Sequence, residues 1–429
     1  MTDSTVGALL QLPGVLFVVQ LGIILVITRS CGWLLARLGQ PRVVGELAGG
    51  ILLGPLALGH LLPASFGLLF PSDRLRPLEV VSNVGLVLFL FVIGSELDLN
   101  EVRQNRRATV AIALGSMGLP FALGAGLSPL LLARFGLPHV PRLGFLLFVG
   151  ISMSITALPV LARIIEDRKR SNRPIDSTIA VNALLCAAAN DLFAWFLLAV
   201  TLTLLHGSGG ALPVFLRLVT LACYIAAMLF VVRPLARFWI DCKPVSPLWP
   251  WFAGMVGLAF LSAHITDLLG IHAFFGAFLA GICVPRRTLG TIRLTDALRR
   301  PLQFIISATL PVFFVMTGLR MQRDMFDRSG LGWLAIVLLV AVVGKIGGAM
   351  LAARVSGMRW YLALRIGILL NTRGLVELIV LNVGYKEGIL SPLLFTVFVL
   401  MAIITTAMTV PLLALSERTA GLVAKSTSG

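Results

Sequence analysis

Charge is what this 429-residue chain has least of: 13% of its residues are Asp, Glu, Lys or Arg, against 58% from the apolar set. Soluble domains run nearer a quarter charged and half apolar, so an ordinary water-soluble enzyme is excluded. Acids are scarcer than bases, 19 against 35, for a formal charge of +16. In a soluble protein that excess would point to nucleic acid. In a membrane protein it belongs to the cytoplasmic loops, and no nucleic-acid partner is expected. Cysteine is sparse too. Cys31, Cys186, Cys223, Cys242 and Cys283 form no CxxC and no metal spacing with a nearby histidine, so neither a disulfide framework nor a zinc site is indicated. The first residues carry no basic n-region, so no cleaved signal peptide is expected.

What the chain does have is apolar length. A membrane helix takes about 20 residues, and the mean hydropathy is +0.97. Apolar blocks fall at 11–29, 43–59, 79–95, 108–132, 143–162, 177–205, 213–232, 248–266, 269–285, 301–319, 331–353, 361–384 and 391–415. The pattern predicts an all-α polytopic membrane protein with about thirteen transmembrane helices. It would be a single transport domain over 1–415 with a short cytoplasmic tail at 416–429 and no appended soluble domain. The second, fifth, ninth and twelfth blocks are Gly-rich or interrupted.

Positive charge tests this map. Loops after odd-numbered spans carry 24 Lys and Arg and loops after even-numbered spans carry 9, while Lys345 and Arg373 fall inside spans. Basic residues stay on the cytoplasmic side. The N-terminus is therefore expected outside and the C-terminus in the cytoplasm, in a multi-pass protein of the cell membrane.

An ionisable residue inside a span costs several kcal/mol and marks a substrate path or relay by default. The candidates are Asp191, Lys345, Arg373 and Glu377. Asp191 lies about 14 residues into its span, or ~20 Å at ~1.5 Å per residue, near mid-bilayer. A lone carboxylate in a low-dielectric cavity is costly to keep charged, so it can trade a proton for a small cation. Asn190 beside it offers a neutral amide oxygen, and hard cations want oxygen ligands. Lys345 needs a buried partner, for which Asp191 is the expected one. Arg373 and Glu377, four apart on one helix face, can satisfy each other as a clamp or a gate.

Two segments break the helical pattern. Ser152-Met153-Ser154-Ile155-Thr156-Ala157-Leu158-Pro159 interrupts the fifth span with hydroxyls and a proline, and Asn371-Thr372-Arg373-Gly374 interrupts the twelfth. Non-helical backbone at membrane depth survives only inside protein or beside a water-filled cavity. Interrupted segments in corresponding positions of two halves point to the binding site of a secondary transporter.

Several motifs carry a family resemblance over most of 41–385. They include Gly49-Gly50-Ile51-Leu52-Leu53-Gly54-Pro55, Phe91-Val92-Ile93-Gly94-Ser95-Glu96, Ser154-Ile155-Thr156-Ala157-Leu158-Pro159 and Asn190-Asp191. Gly270-Ile271-His272-Ala273-Phe274-Phe275-Gly276, Leu310-Pro311-Val312-Phe313-Phe314 and Asn371-Thr372-Arg373-Gly374-Leu375-Val376-Glu377 follow in order. The chain resembles the monovalent cation:proton antiporter superfamily, in the branch of the plant cation/H⁺ exchangers and their bacterial relatives. The resemblance implies inverted repeats, two discontinuous crossing helices, a core bundle and a dimerisation bundle, and a homodimer. It implies Asp191 as carrier carboxylate and Thr156 with Asp191 as ligands to the transported ion; Asn190, Ser154 and Lys345 complete the expected ion- and proton-binding set. Lys345 would compete with cation for the acidic site, and Glu96 would lie near the ion path.

The expected function is exchange of H⁺ for Na⁺ or K⁺ by alternating access, with no cofactor beyond the transported ions. Electrogenic relatives carry two adjacent aspartates where this chain has Asn190-Asp191, so electroneutral exchange is expected. Two alternatives are weighed: a proton-driven exporter of an organic ion or ionophore, and an intramembrane hydrolase. The hydrolase lacks its parts, because no GxSxG occurs and no second mid-span aspartate accompanies Asp191.

Overall fold

The structure is a computed structural model that describes residues 12–96, 106–170, 175–206, 211–242, 249–270, 272–285, 288–289, 292–326 and 328–427. Its principal helices are α1 (Pro13–Arg37), α2 (Arg42–Leu52), α3 (Arg76–Glu96), α4 (Arg106–Phe135), α5 (Arg142–Ser154), α6 (Leu158–Arg170), α7 (Ser177–His206) and α8 (Ala211–Ala227). They continue with α9 (Trp249–Leu268), α10 (Ala273–Ile282), α11 (Leu294–Leu319), α12 (Arg328–Val355), α13 (Trp360–Leu370), α14 (Leu375–Lys386) and α15 (Pro392–Thr427). Helix α8 runs on through a π-helical turn, Met228–Val232, into the helix Arg233–Cys242.

Among the described residues ten helices are long and apolar enough to cross a bilayer, counting Arg142–Lys169 as one, and the pair α13–α14, bent by 46°, makes an eleventh. The other two of the thirteen expected spans are short helices. Helix α2 has 11 residues and α10 has 10, each half of a ~30 Å hydrocarbon core at ~1.5 Å per residue. Hydropathy measures apolar length, whereas helix length is cut here by backbone chemistry. Gly54-Pro55 stops α2, and α10 starts only after Gly270, which has φ +72°, and the His272 cap.

The chain forms two compact units. One takes the described residues within 1–25, 67–98 and 199–316. In it α3 packs on α10 without intervening side chains. A Cβ on Gly94 would lie 2.1 Å from the Phe278 carbonyl oxygen, and one on Gly281 would lie 2.1 Å from that of Phe91. Ser262 of α9 donates to the Gly276 carbonyl at 2.6 Å.

The other unit takes the described residues within 26–66, 99–198 and 317–429. Small residues again set its helix spacing. A Cβ on Gly348 of α12 would meet the Gly115 carbonyl oxygen of α4 at 2.2 Å. Ala183, Ala187, Ala349, Ala353, Ile366 and Leu370 are buried together in its core. Helix α15 continues beyond the expected end at 415 to Thr427, and Glu417 on that extension accepts from Arg168 at 2.5 Å and Arg365 at 2.8 Å.

Candidate functional site: two crossing broken helices

Helix α5 stops at Ser154 because Ile155 turns to extended backbone, φ −65° and ψ 140°. Helix α6 restarts at Leu158 with Pro159 second, where its missing N–H costs no helical hydrogen bond. In the same unit α13 ends at Leu370 and α14 begins after Gly374. The two breaks bind each other. The Ala157 N–H donates to the Thr372 carbonyl at 3.0 Å, and the Thr156 hydroxyl donates to that of Leu370 at 3.1 Å. Gly374 leaves room for this crossing, since a Cβ there would sit 2.8 Å from Val160 Cγ2.

The last carbonyls of a helix have no partner within it and carry its negative dipole end. In α5 two buried cations take them. Arg373 donates through Nη1 to the Ser152 carbonyl at 2.7 Å and through Nη2 to that of Met153 at 2.6 Å, while Lys345 Nζ donates to that of Ser154. Arg373 Nη1 also donates to Glu377 Oε1 at 2.9 Å. Arg373, Lys345 and Glu377 are all fully buried.

Lys345 was expected against Asp191, and the structure places it differently. Asp191 is within electrostatic reach, but no ion pair joins the two within 4.0 Å among the described residues, and the ammonium hydrogen-bonds the end of α5 instead. Three carbonyls at a helix terminus form a stronger focus of negative charge than a residue-by-residue pairing of acids with bases takes into account.

Asn190 and Asp191 are fully buried on α7. Asn190 Nδ2 donates to Ser116 Oγ at 3.1 Å and to Thr156 Oγ1 at 3.2 Å. With its amide nitrogen held on both sides, Oδ1 is left without a donor. Neither carboxylate oxygen of Asp191 has a hydrogen-bond partner; the N–H of Leu158, at the positive end of α6, acts on it without completing a bond. The result is three buried oxygens that ask for a proton or a cation, against a rule that buried polar groups are paired.

Of the other expected residues, Ser154 turns its hydroxyl back to the Ile151 carbonyl at 2.9 Å and contributes its backbone carbonyl to Lys345. Glu96 belongs to the other unit, where it is exposed and paired with Arg299 at 3.2 Å. Two site residues were not anticipated. Ser116 orients Asn190, and Thr406 of α15 binds both ends of residue 373, accepting from its N–H at 3.0 Å and donating to its carbonyl at 2.7 Å. The cluster of hydroxyls at Thr405-Thr406 and Thr409 in a largely apolar span is the available signal for the second.

Residues 23–415 match the transmembrane sodium/hydrogen exchanger family. The chain belongs to that family. Cation/H(+) antiporter 17 of Arabidopsis thaliana is 37% identical over 404 residues, covering 92% of this chain and 48% of its own length. The chain thus spans about half the length of the Arabidopsis relatives it matches. The Na(+)/H(+) antiporter NhaS4 of Synechocystis sp. is 35% identical over 91% of this chain and 94% of its own. The solved sodium proton antiporter MjNhaP1 of Methanocaldococcus jannaschii superposes with a TM-score of 0.64 over 94% of this chain and 96% of its own. At 17% identity that likeness establishes a shared fold, and with it a multi-pass membrane protein of the exchanger architecture.

Proposed function

We propose that this chain exchanges H⁺ for Na⁺ or K⁺ across the cell membrane by alternating access, with Asp191 as the group that carries either. The observation behind this reading is the Asp191 carboxylate itself: fully buried, both oxygens unpartnered, beside the unpartnered Asn190 Oδ1 and at the crossing of two broken helices. Hard monovalent cations take oxygen ligands, and a proton on the same carboxylate satisfies it equally. The two therefore displace each other, which is what coupled exchange requires. Thr156 offers a fourth oxygen, its hydroxyl hydrogen being given to Leu370. Lys345 and Arg373 occupy the carbonyl end of α5, so the cation's counter-charge is Asp191 rather than a helix dipole.

A single carboxylate beside Asn190 favours one proton per monovalent cation, an electroneutral exchange. The protein would work as a homodimer, with the N-terminus outside and the C-terminus in the cytoplasm. The unit holding α4–α7 and α12–α15 would be the moving core and the other the dimerisation bundle. The relatives' printed names, antiporters of Na⁺ or of cations with H⁺, support the cargo.

The test is proton movement in inside-out vesicles carrying a pH dye, with Na⁺ and K⁺ added in turn. Alkalinisation by one ion is expected, and Asp191→Asn is expected to bring it to background while expression and melting temperature hold. Full exchange by Asp191→Asn would refute the assignment. One feature favours a second cargo class: an almost wholly apolar cavity of about 410 Å³ between α4 and α7, lined by Met117, Phe121 and Phe193 among others, reaches Asn190. Dye response to a hydrophobic organic cation, with none to Na⁺ or K⁺, would move the reading there.

A further inference from the structure

Away from the crossing, the same unit holds a second cavity of about 440 Å³, and about half of its wall is polar. One wall is the turn between α1 and α2. Helix α1 ends with Gly39 N–H bonded to the Ala36 carbonyl at 3.1 Å and Gln40 N–H to that of Leu35 at 3.0 Å. Gly39 itself is at φ +77°. This is a Schellman ending, which fixes Gln40 and Arg42 on either side of Pro41. The facing wall is the last part of α6, with Arg163, Asp167 and Arg168.

Three guanidiniums line the cavity against one carboxylate. Arg163 pairs with Asp167 at 3.2 Å. Arg42 lies within reach of Glu46, which Arg29 also faces. Arg168 donates Nη2 to Glu417 Oε1, but that same oxygen serves Arg365 as well. One acceptor is therefore divided between two guanidiniums. Arg168 is 8% exposed, and its Nε is buried with no acceptor. Across from it Gln40 gives its amide nitrogen to the Ala407 carbonyl at 3.2 Å, leaving Oε1 buried with no donor.

Arg168 Nε and Gln40 Oε1 are thus closed off behind the cavity wall rather than open to it. Three guanidiniums against one carboxylate that is already paired leave the cavity positive, and water would not match that charge. A planar carboxylate engages one guanidinium fork, whereas a tetrahedral phosphate presents oxygens to several elements at once. All these residues sit in or beside the loops after the first and fifth spans, on the Lys- and Arg-rich side where basic pockets between membrane helices meet anionic headgroups. We propose that this cavity binds a phosphate ester, its phosphate held by Arg42, Arg163 and Arg168. That chemistry is shared by a phosphatidylglycerol headgroup and by soluble glycerol phosphates. The bound ester bridges the α1–α2 turn and the end of α6.

The test is thermal unfolding of the purified chain in a neutral detergent at fixed ionic strength. The probes are dihexanoyl-phosphatidylglycerol, dihexanoyl-phosphatidylcholine, glycerol 3-phosphate and inorganic phosphate. A ligand that binds only the folded state raises the midpoint with concentration. Saturable stabilisation by phosphatidylglycerol, half-maximal at least about tenfold below phosphatidylcholine, supports the site with a lipid source; the same response to glycerol 3-phosphate supports it with a soluble one. Arg42 is exposed and Arg163 half-exposed, so the Arg42→Ala/Arg163→Ala double variant is expected to fold and to lose the response. Arg168→Lys keeps a cation for Glu417 while removing the guanidinium fork, and should weaken binding about tenfold, close to 1.4 kcal/mol. No saturable response to any phosphate probe, equal response to phosphatidylcholine, or an undiminished response in the double variant would overturn the proposal. Because the readout is unfolding, its failure is separate from any failure of ion exchange.

Discussion

The two breaks are held in opposite ways. At the first, between α5 and α6, the helix-terminal carbonyls of Ser152, Met153 and Ser154 are taken by two buried cations, Arg373 and Lys345. At the second, between α13 and α14, the backbone is held by neutral partners: Thr156 and Ala157 hold the Leu370 and Thr372 carbonyls, and Thr406 holds residue 373 at both ends. Charge at the first break occupies a helix end beside the carboxylate, while hydroxyls at the second only fix its path. Loss of one hydrogen bond should therefore be cheaper at the second break than at the first.

Removing a charged pin gives the largest expected effect. Arg373→Met leaves two carbonyls and Glu377 unsatisfied inside the protein, and breaking a buried pair from one side costs about 3–5 kcal/mol. A strongly lowered unfolding midpoint is expected. Adding Glu377→Gln removes the orphaned charge and should recover part of the loss, which a double-mutant cycle reads directly. If Arg373→Met melts like wild type, the first break does not depend on charge.

Steric closure comes next. Gly374→Ala puts a Cβ 2.8 Å from Val160 Cγ2, and overpacking of this kind costs about 1–3 kcal/mol. Val160→Ala should rescue it if the crossing itself is the clash. The same melting assay reports both variants. Thr406→Val then probes the neutral pin. It keeps the shape and removes bonds to the N–H and carbonyl of residue 373, an expected loss of about 1–3 kcal/mol for buried groups left unpaired. A loss as large as that of Arg373→Met would erase the distinction between the two breaks.

Much of this was legible in the sequence. Hydroxyls and proline at 152–159 and Asn-Thr-Arg-Gly at 371–374 locate both breaks, because each pattern removes helical hydrogen bonds at a depth where water cannot replace them. Asp191 stands out for the same reason, as a charge in an apolar run. The partner of Lys345 was not legible. Pairing by charge alone selects Asp191, but the end of α5 exists as a focus of charge only once the chain is folded. Ser116 was hidden for another reason: one serine in a small-residue helix reads as packing, and its bond to Asn190 joins residues 74 apart.

The finest test concerns that serine. Ser116 Oγ passes its hydrogen to the Ala113 carbonyl at 3.0 Å and so offers Asn190 an oxygen alone. With a hydroxyl acceptor on each side, the Asn190 amide nitrogen is pinned and Oδ1 stays presented as an acceptor. Ser116→Ala removes one pin, at a stability cost of about 1 kcal/mol. If Oδ1 helps hold the cation, its orientation matters to affinity before it matters to turnover. Ser116→Ala should then raise the half-saturating cation concentration several-fold at nearly unchanged maximal rate, and Ser116→Thr should restore it. A fall in maximal rate with no change in half-saturation would place Ser116 in the movement of α4 and α7, and leave the cation with Asp191 and Thr156.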